Sequence, residues 1–186
     1  TGDRNIAIGT RALDVNTHNN NIGVGHETLR LNTSGVNNVA IGSYALDANS
    51  TGFNNIAIGI DSQTSNTTGD SNTSVGFDAM KNNTTAESNT AMGRAALFSN
   101  TTGPRNTAIG REALVSCTTG NQNTAVGETC LDALTVSVNC TAVGRGALGL
   151  CDGNDNTAMG EFAGSTVTSG TGNICIGKFA HGPSTT

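Results

Sequence analysis

One glycine recurs at a nearly constant interval along the whole chain. Eight of the ten intervals are 17 residues and two are 16. The recurring positions are Gly9, Gly25, Gly42, Gly59, Gly76, Gly93, Gly110, Gly127, Gly144, Gly160 and Gly177. A repeat this short is too small for a helical hairpin and suits one coil of a β-solenoid. The sequence therefore predicts an all-β parallel β-solenoid of eleven coils, about 17 residues per coil, forming a single repeat domain over residues 1–186.

The residues before each glycine follow the pattern Asn-(Ile/Thr)-Ala-(Ile/Val)-Gly, as in Asn38–Gly42. Their β-branched content favours a short strand. Side chains alternate along a strand, so the Ile/Thr and Ile/Val columns share one face and the Ala column occupies the other. Neither face is charged, and a strand that is apolar on both faces is usually buried on both. We expect the coil itself to cover one face and another copy of the chain to cover the second, and the pattern leaves open which is which.

A second apolar pair follows the glycine by three and four positions, as in Ala45-Leu46 and Ala96-Leu97. This Leu column is the natural core filler on the return side of the coil. The positions one and two after the glycine are mixed and charged, which predicts that they face solvent.

Asparagine occupies two further columns. The first, four positions before the glycine, is interrupted only at Cys140. Because stacked strands lie about 4.8 Å apart, its amides are predicted to form a ladder along the axis. Its members are Asn5, Asn21, Asn38, Asn55, Asn72, Asn89, Asn106, Asn123, Asn156 and Asn173.

The second asparagine column lies seven positions after the glycine and matches the Asn-x-Ser/Thr glycosylation motif in five coils. These candidate glycosylation sites are Asn32, Asn49, Asn66, Asn83 and Asn100. The motif has two interpretations: glycan attachment, or a turn rich in Asn, Thr and Gly that forms a second amide ladder. We favour the turn, since a glycan on every coil would be crowded.

Composition argues against several functions. The net charge is −5 and aromatic residues make up 3% of the chain, which is unfavourable for nucleic-acid binding. No apolar run is long enough to cross a membrane, and no signal peptide is evident, so we predict no membrane insertion. The chain begins at Thr1 rather than Met, and we expect it to be a fragment of a longer fibre.

The sequence offers no recurring chemistry. The three histidines fall in three different columns, and no nucleophile and base recur together, so we predict no enzyme activity, no cofactor and no metal site. The five cysteines are odd in number and contain no Cys-x-x-Cys motif. Cys117 and Cys151 share a column but are two coils apart, too far for a disulfide, so the cysteines are expected to be free.

The strand motif, as in Asn38–Gly42 and Asn106–Gly110, resembles the head repeat of trimeric autotransporter adhesins. The full unit, with its following Ala-Leu and Asn-Thr-Thr-Gly segments, is similar to repeats in fibre proteins of phages and large algal viruses. The resemblance covers essentially the whole chain. It implies a left-handed parallel β-roll, a homotrimer, and a place at the virion surface or outside the cell.

From this resemblance we expect a structural or adhesive fibre segment that spaces or presents a surface for a host receptor or cell-surface glycan. The variable exposed positions are the candidates for specific contact, namely Tyr44, Asp61, Phe77, Asp78, Phe162 and Phe179. One alternative is a glycosylated extracellular filament subunit. Another is an ice-binding β-solenoid, prompted by the Thr column from Thr73 to Thr157, although its shared face with Ile and Val favours burial.

Overall fold

The structure, a computed structural model, describes residues 2–181. Eleven three-residue strands form one parallel sheet in which their order follows the chain. The strands are β1 (Ile6–Ile8), β2 (Ile22–Val24), β3 (Val39–Ile41), β4 (Ile56–Ile58), β5 (Thr73–Val75), β6 (Thr90–Met92), β7 (Thr107–Ile109), β8 (Thr124–Val126), β9 (Thr141–Val143), β10 (Thr157–Met159) and β11 (Ile174–Ile176). The described residues include no helix.

Each strand pairs with the next in the register that the repeat dictates. Ala40 lies opposite Ala57, and Ile41 lies opposite Ile58. One circuit of the chain, roughly 17 residues, therefore separates neighbouring strands. The predicted all-β parallel β-solenoid is confirmed. We number the coils after their strands, and each coil begins four residues before its recurring glycine, so that coil 3 is 38–54 and coil 9 is 140–155.

The recurring glycine ends each strand by turning the chain. Gly59 has a φ of 136°, a conformation that side chains rarely adopt. A Cβ at this position would lie 2.3 Å from the carbonyl oxygen of Gly76 in the next coil. Both the backbone angle and the close approach of successive coils therefore require glycine, which explains why this column never varies.

The return side of the coil is not a β-sheet, yet it also bonds each coil to its neighbours. Alternate residues there have left-handed backbone, with φ of 62° at Tyr44 and 51° at Leu46. The amide of Tyr44 donates to the carbonyl of His26 in the preceding coil at 2.9 Å. The amide of Leu46 donates to the carbonyl of Ser62 in the following coil at 3.1 Å. Stacking therefore satisfies backbone groups on both sides of the rod.

The core is a thin layer between these two sides. The middle residue of each strand points inward and is buried in β2–β11, as at Ala57 and Ala108. The Leu column faces it from the return side, and Leu46 and Leu97 are fully buried. The expected role of this column as core filler is borne out by its burial. The space left between the two sides accommodates alanine on the strand and leucine on the return.

A polar layer interrupts the core at coils 4 and 5. Ser62 and Gln63 replace the usual Ala-Leu pair, and Ser74 replaces the strand alanine. The two serine hydroxyls are 2.5 Å apart, and Gln63 Nε2 donates to Ser74 Oγ at 2.8 Å. Gln63 Oε1 is buried and accepts no hydrogen bond from the described residues. The layer divides the apolar core into two clusters, one ending at Ala57 and the other beginning at Ala79.

We expect the triple variant S62A/Q63L/S74A, which restores the regular columns, to be more stable than the natural chain. An unpaired buried polar atom costs about 1–3 kcal/mol, and each kcal/mol shifts the melting temperature of a chain this size by about 2–4 °C. Thermal unfolding followed by circular dichroism measures the difference. Q63L alone serves as the control, because it leaves both serines in an apolar layer, and it should be less stable than the triple variant. A triple variant that melts below the natural chain would contradict this account.

Candidate functional site

The most extensive surface feature is an outward stripe, which we define as the first and last residues of strands β1–β11. These side chains point away from the core, opposite the buried middle residue. They are Ile, Val, Thr or Met in every coil, and none is charged. The stripe therefore runs the full length of the described sheet as an uncharged band two side chains wide.

The stripe is open to solvent in the single chain. Ile58, in the middle of the rod, is 37% exposed, and Ile176 in the last strand is 69% exposed. The sequence predicts burial of both strand faces, and the chain by itself covers only the alanine face. The reason is the narrow interior, which holds alanine but has no space for a column of isoleucine. The question left open by the pattern is resolved here, since the alanines lie inside the coil.

The first asparagine ladder ties each coil to the next through the backbone. The amide N–H of Asn38 donates to Asn21 Oδ1 at 3.0 Å, and that of Asn55 donates to Asn38 Oδ1 at 2.9 Å. The Asn38 side-chain amide also donates to the carbonyl of Gly52 at 2.8 Å. From coil 2 onward these asparagines are almost completely buried, and each side chain satisfies backbone groups that the corner would otherwise leave unpaired.

The second asparagine column forms a direct amide-to-amide ladder. Asn49 Nδ2 donates to Asn32 Oδ1 at 2.8 Å and to the carbonyl of Gly52 at 3.0 Å. Both ladders therefore converge on one glycine carbonyl within the coil. The candidate glycosylation sites in this column, Asn32, Asn49, Asn66, Asn83 and Asn100, are all fully buried. Because their side-chain nitrogens are already hydrogen bonded inside the coil, glycans on them are incompatible with this fold.

The six candidate contact residues fall into two separate groups on the corner that follows the strand. Tyr44, Asp61, Phe77 and Asp78 lie in coils 3–5, and both aspartates form ion pairs with Lys81. Phe162 and Phe179 lie in coils 10 and 11. Five coils at about 4.8 Å each separate Asp78 from Phe162, a distance on the order of 24 Å. The six residues therefore do not form one site.

The second group is an ordered aromatic stack. The rings of Phe162 and Phe179 are 5.6 Å apart and nearly parallel, at 9°. The Arg145 guanidinium lies 4.7 Å from the centre of the Phe162 ring. Glu161, beside this stack, is paired with Lys178 and Arg145, whose hydrogen bonds and charges lower its pKa to about 2. Aromatic and charged side chains are therefore in mutual contact on this part of the surface.

A pocket of about 290 Å³ opens at coils 8–10, next to this stack. It exists because coil 9 has glycine at two outward positions, Gly146 and Gly149, where other coils mostly carry side chains. A Cβ at Gly146 would lie 2.4 Å from the Phe162 ring, so the ring has folded over the missing side chain. The lining residues are Thr129, Asp132, Gly146, Gly149, Leu150, Phe162 and Ser165.

Asp132 is the only ionisable residue that lines this pocket. Burial raises the pKa of its carboxyl, Glu112 adds to that rise, and hydrogen bonds from the backbone amides of Asp132 and Ala133 oppose it. The ion pairs between described residues do not include Asp132, unlike Asp61 and Asp78. The pocket thus presents a carboxylate and hydroxyl groups beside apolar walls. This pocket was not predicted from the sequence. The two glycines of coil 9, Gly146 and Gly149, could have indicated it, since they remove side chains from two outward positions.

Comparisons with known proteins add no identity. No protein-family model matches the chain, and no curated protein matches it. Among residues 2–181, no cluster of three or more His, Cys, Asp or Glu side chains is arranged to hold a metal ion. No helix in the same range is long and apolar enough to span a membrane.

We expect Asn49→Ala to destabilise the fold by about 1–3 kcal/mol, because it removes three buried hydrogen bonds. Asn32 Oδ1 and the Gly52 carbonyl each lose a donor, and Asn66 Nδ2 loses an acceptor. Equilibrium denaturation in urea measures the change. Asn82→Ala is the matched control, since the Asn82 side chain makes no hydrogen bond with the described residues and coil 3 already has an alanine, Ala48, at the same position of the repeat. Equal losses from the two substitutions would show that the buried ladder has no special role.

Proposed function

We propose that this chain is a segment of an extracellular or virion-surface fibre, in which parallel copies associate through the outward stripe as a left-handed homotrimer. The fibre spaces or presents a surface for attachment to a host. The observation that carries this proposal is the stripe itself, an uncharged and continuous band that the single chain leaves uncovered. The resemblance of the repeat to trimeric fibre proteins supports the same reading.

The dimensions of the stripe fit an interface between copies. Ten spacings of about 4.8 Å and a strand width of about 10 Å give a face on the order of 500 Å² per chain. Two such faces together approach the roughly 1,000 Å² that a specific interface requires. Sixteen of the 22 side chains in the stripe are Ile, Val or Met and six are Thr, and large exposed apolar patches mark interaction surfaces in soluble proteins. The area also grows with each added coil, which suits a long fibre.

The apolar surface continues around one corner of the rod. Ile60 and Phe77, which directly follow the strand glycines of coils 4 and 5, are 50% and 47% exposed. In a threefold arrangement each chain must contact two neighbours, so a band that bends around a corner fits a trimer better than a flat pair. This extension is restricted to two coils: the same column carries polar residues in coils 1–3 and charged residues, such as Arg94 and Arg111, from coil 6 onward.

We predict that light scattering will give a mass near three times the 18.7 kDa of the chain. The variant Ile58→Glu/Ile109→Glu places charges on the stripe and should dissociate the assembly, because an unpaired charge at a dry interface is costly. Val136→Glu is the matched control, since Val136 is 58% exposed and lies outside the stripe. The control should keep the trimer mass.

A second candidate function is ice binding, and one observation favours it. Six consecutive coils, from Thr73 to Thr157, place a threonine on the exposed stripe at regular spacing. The hydroxyls of these six residues make no side-chain hydrogen bonds with other described residues, so they are free to bond water. A monomeric chain in the light-scattering measurement that also produces thermal hysteresis would overturn the fibre proposal in favour of this one. A trimer without hysteresis would remove it.

For attachment we propose the pocket of coils 8–10 as the site for a cell-surface glycan. A carboxylate and hydroxyls beside an apolar wall form the set of groups that recognises sugar hydroxyls and carbon–hydrogen faces. We predict glycan-array binding by the assembled protein that Asp132→Asn weakens at least about tenfold, a change of about 1.4 kcal/mol. Tyr44→Phe, in the distant contact group, is the control. Binding that depends on Tyr44 and not on Asp132 would place attachment elsewhere.

A further inference from the structure

Coil 9 departs from the repeat at both asparagine columns at once. The first ladder position is Cys140 and the second is Cys151, so one coil carries a cysteine at each of the two converging positions. Coil 7 provides the contrast, because it has Cys117 in the second column but keeps Asn106 in the first. Because both asparagines of one coil are replaced by cysteine, we consider the two replacements together.

The two thiols meet at the point where the amides meet in a regular coil. In coil 3, Asn38 and Asn49 both donate to the carbonyl of Gly52, at 2.8 and 3.0 Å. In coil 9, the Sγ atoms of Cys140 and Cys151 lie 3.1 and 3.6 Å from the carbonyl oxygen of Gly153. Both thiols therefore point at one acceptor atom, and they are free in this structure, as are the other three cysteines. Both side chains are fully buried, so the surrounding coils restrict their movement.

The replacement weakens the stacking of this coil. Cys140 has no side-chain oxygen, so the amide of Asn156 in coil 10 loses the acceptor that a regular ladder supplies. Coil 9 is also one residue shorter than most, and it carries the two outward glycines of the pocket. A covalent bond across coil 9 would compensate for the hydrogen bonds that the asparagine ladder lacks in this coil.

We propose that Cys140 and Cys151 form a disulfide that closes coil 9 across its interior. The oxidant is a low-molecular-weight disulfide such as oxidised glutathione. The Cys151 thiolate attacks one sulfur of that disulfide and releases one glutathione thiol. The Cys140 thiolate then attacks Cys151 Sγ of the mixed disulfide and releases the second. The protein loses two electrons and two protons, and the glutathione disulfide is reduced to two thiols.

The local chemistry fits this order of events. The neighbouring thiol of Cys140 is the main cause that lowers the pKa of Cys151, the Asn156 side-chain amide adds to it by donating to Cys151 Sγ at 3.2 Å, and burial opposes both. The interaction between the two thiols raises the pKa of Cys140. Cys151 is therefore the thiol that ionises first and attacks. Since both sulfurs are buried in the complete rod, exchange takes place when coil 9 has brought the two thiols together and coil 10 does not yet cover them fully.

The test is to refold the natural chain from denaturant in a glutathione redox buffer, with a parallel sample kept in reductant. We expect the oxidised product to be about 2 Da lighter and to retain three alkylatable thiols of its five cysteines after denaturation. Peptide mapping should join Cys140 to Cys151. The oxidised form should melt about 5–10 °C above the reduced form.

Variants separate this pair from the other cysteines. Cys117→Ser should still form the crosslink, because Cys117 faces an asparagine and not a second thiol. The double variant C140N/C151N restores the regular ladder, so it should fold and keep three thiols in either buffer. Five free thiols in the oxidised natural chain, or a crosslink mapped to another pair, would overturn the proposal. The wild-type map decides the matter even if a variant fails to fold.

Discussion

The whole structure depends on the exact vertical repetition of one coil upon the next. A three-residue strand has too few hydrogen bonds to persist alone, and the return segment has no conventional secondary structure at all. Each becomes stable only because identical residues lie directly above and below it, so that backbone groups and asparagine amides find partners in the neighbouring coils. The glycine column permits this close approach, since a Cβ at Gly59 would collide with the carbonyl of Gly76.

The regular columns made the fold readable from the sequence. The spacing of the glycines gave the coil length, and Ala57 and Leu46 lie in the core positions that their columns indicated. The sequence could not predict that the Ile and Thr columns face solvent, because neither face of the strand carries charged residues that would identify it as the outer one. The left-handed backbone at Tyr44 and Leu46 was likewise hidden, since these residue types rarely adopt it and only tertiary stacking enforces it.

The candidate sites lie where the repetition fails. The pocket forms because coil 9 lacks two outward side chains, at Gly146 and Gly149, and the aromatic ring of Phe162 has moved into part of the space. The thiol pair occupies the same coil, where the ladder asparagines are absent. Within a single column of the repeat, each of these departures looks only like a loss of regularity. In the stacked structure several such departures lie side by side, because neighbouring coils bring residues from different repeats into one short part of the rod.

The polar layer of Ser62, Gln63 and Ser74 has a consequence for how the rod comes apart. Stacked repeats unfold together only as far as favourable contacts between neighbouring coils extend. The apolar core stops at Ala57 and resumes at Ala79, while strand pairing and the asparagine ladders continue through the layer, so we expect the coupling between coils to be weaker there. Under a pulling force along its axis, a fibre built from this chain is therefore expected to yield first at this layer.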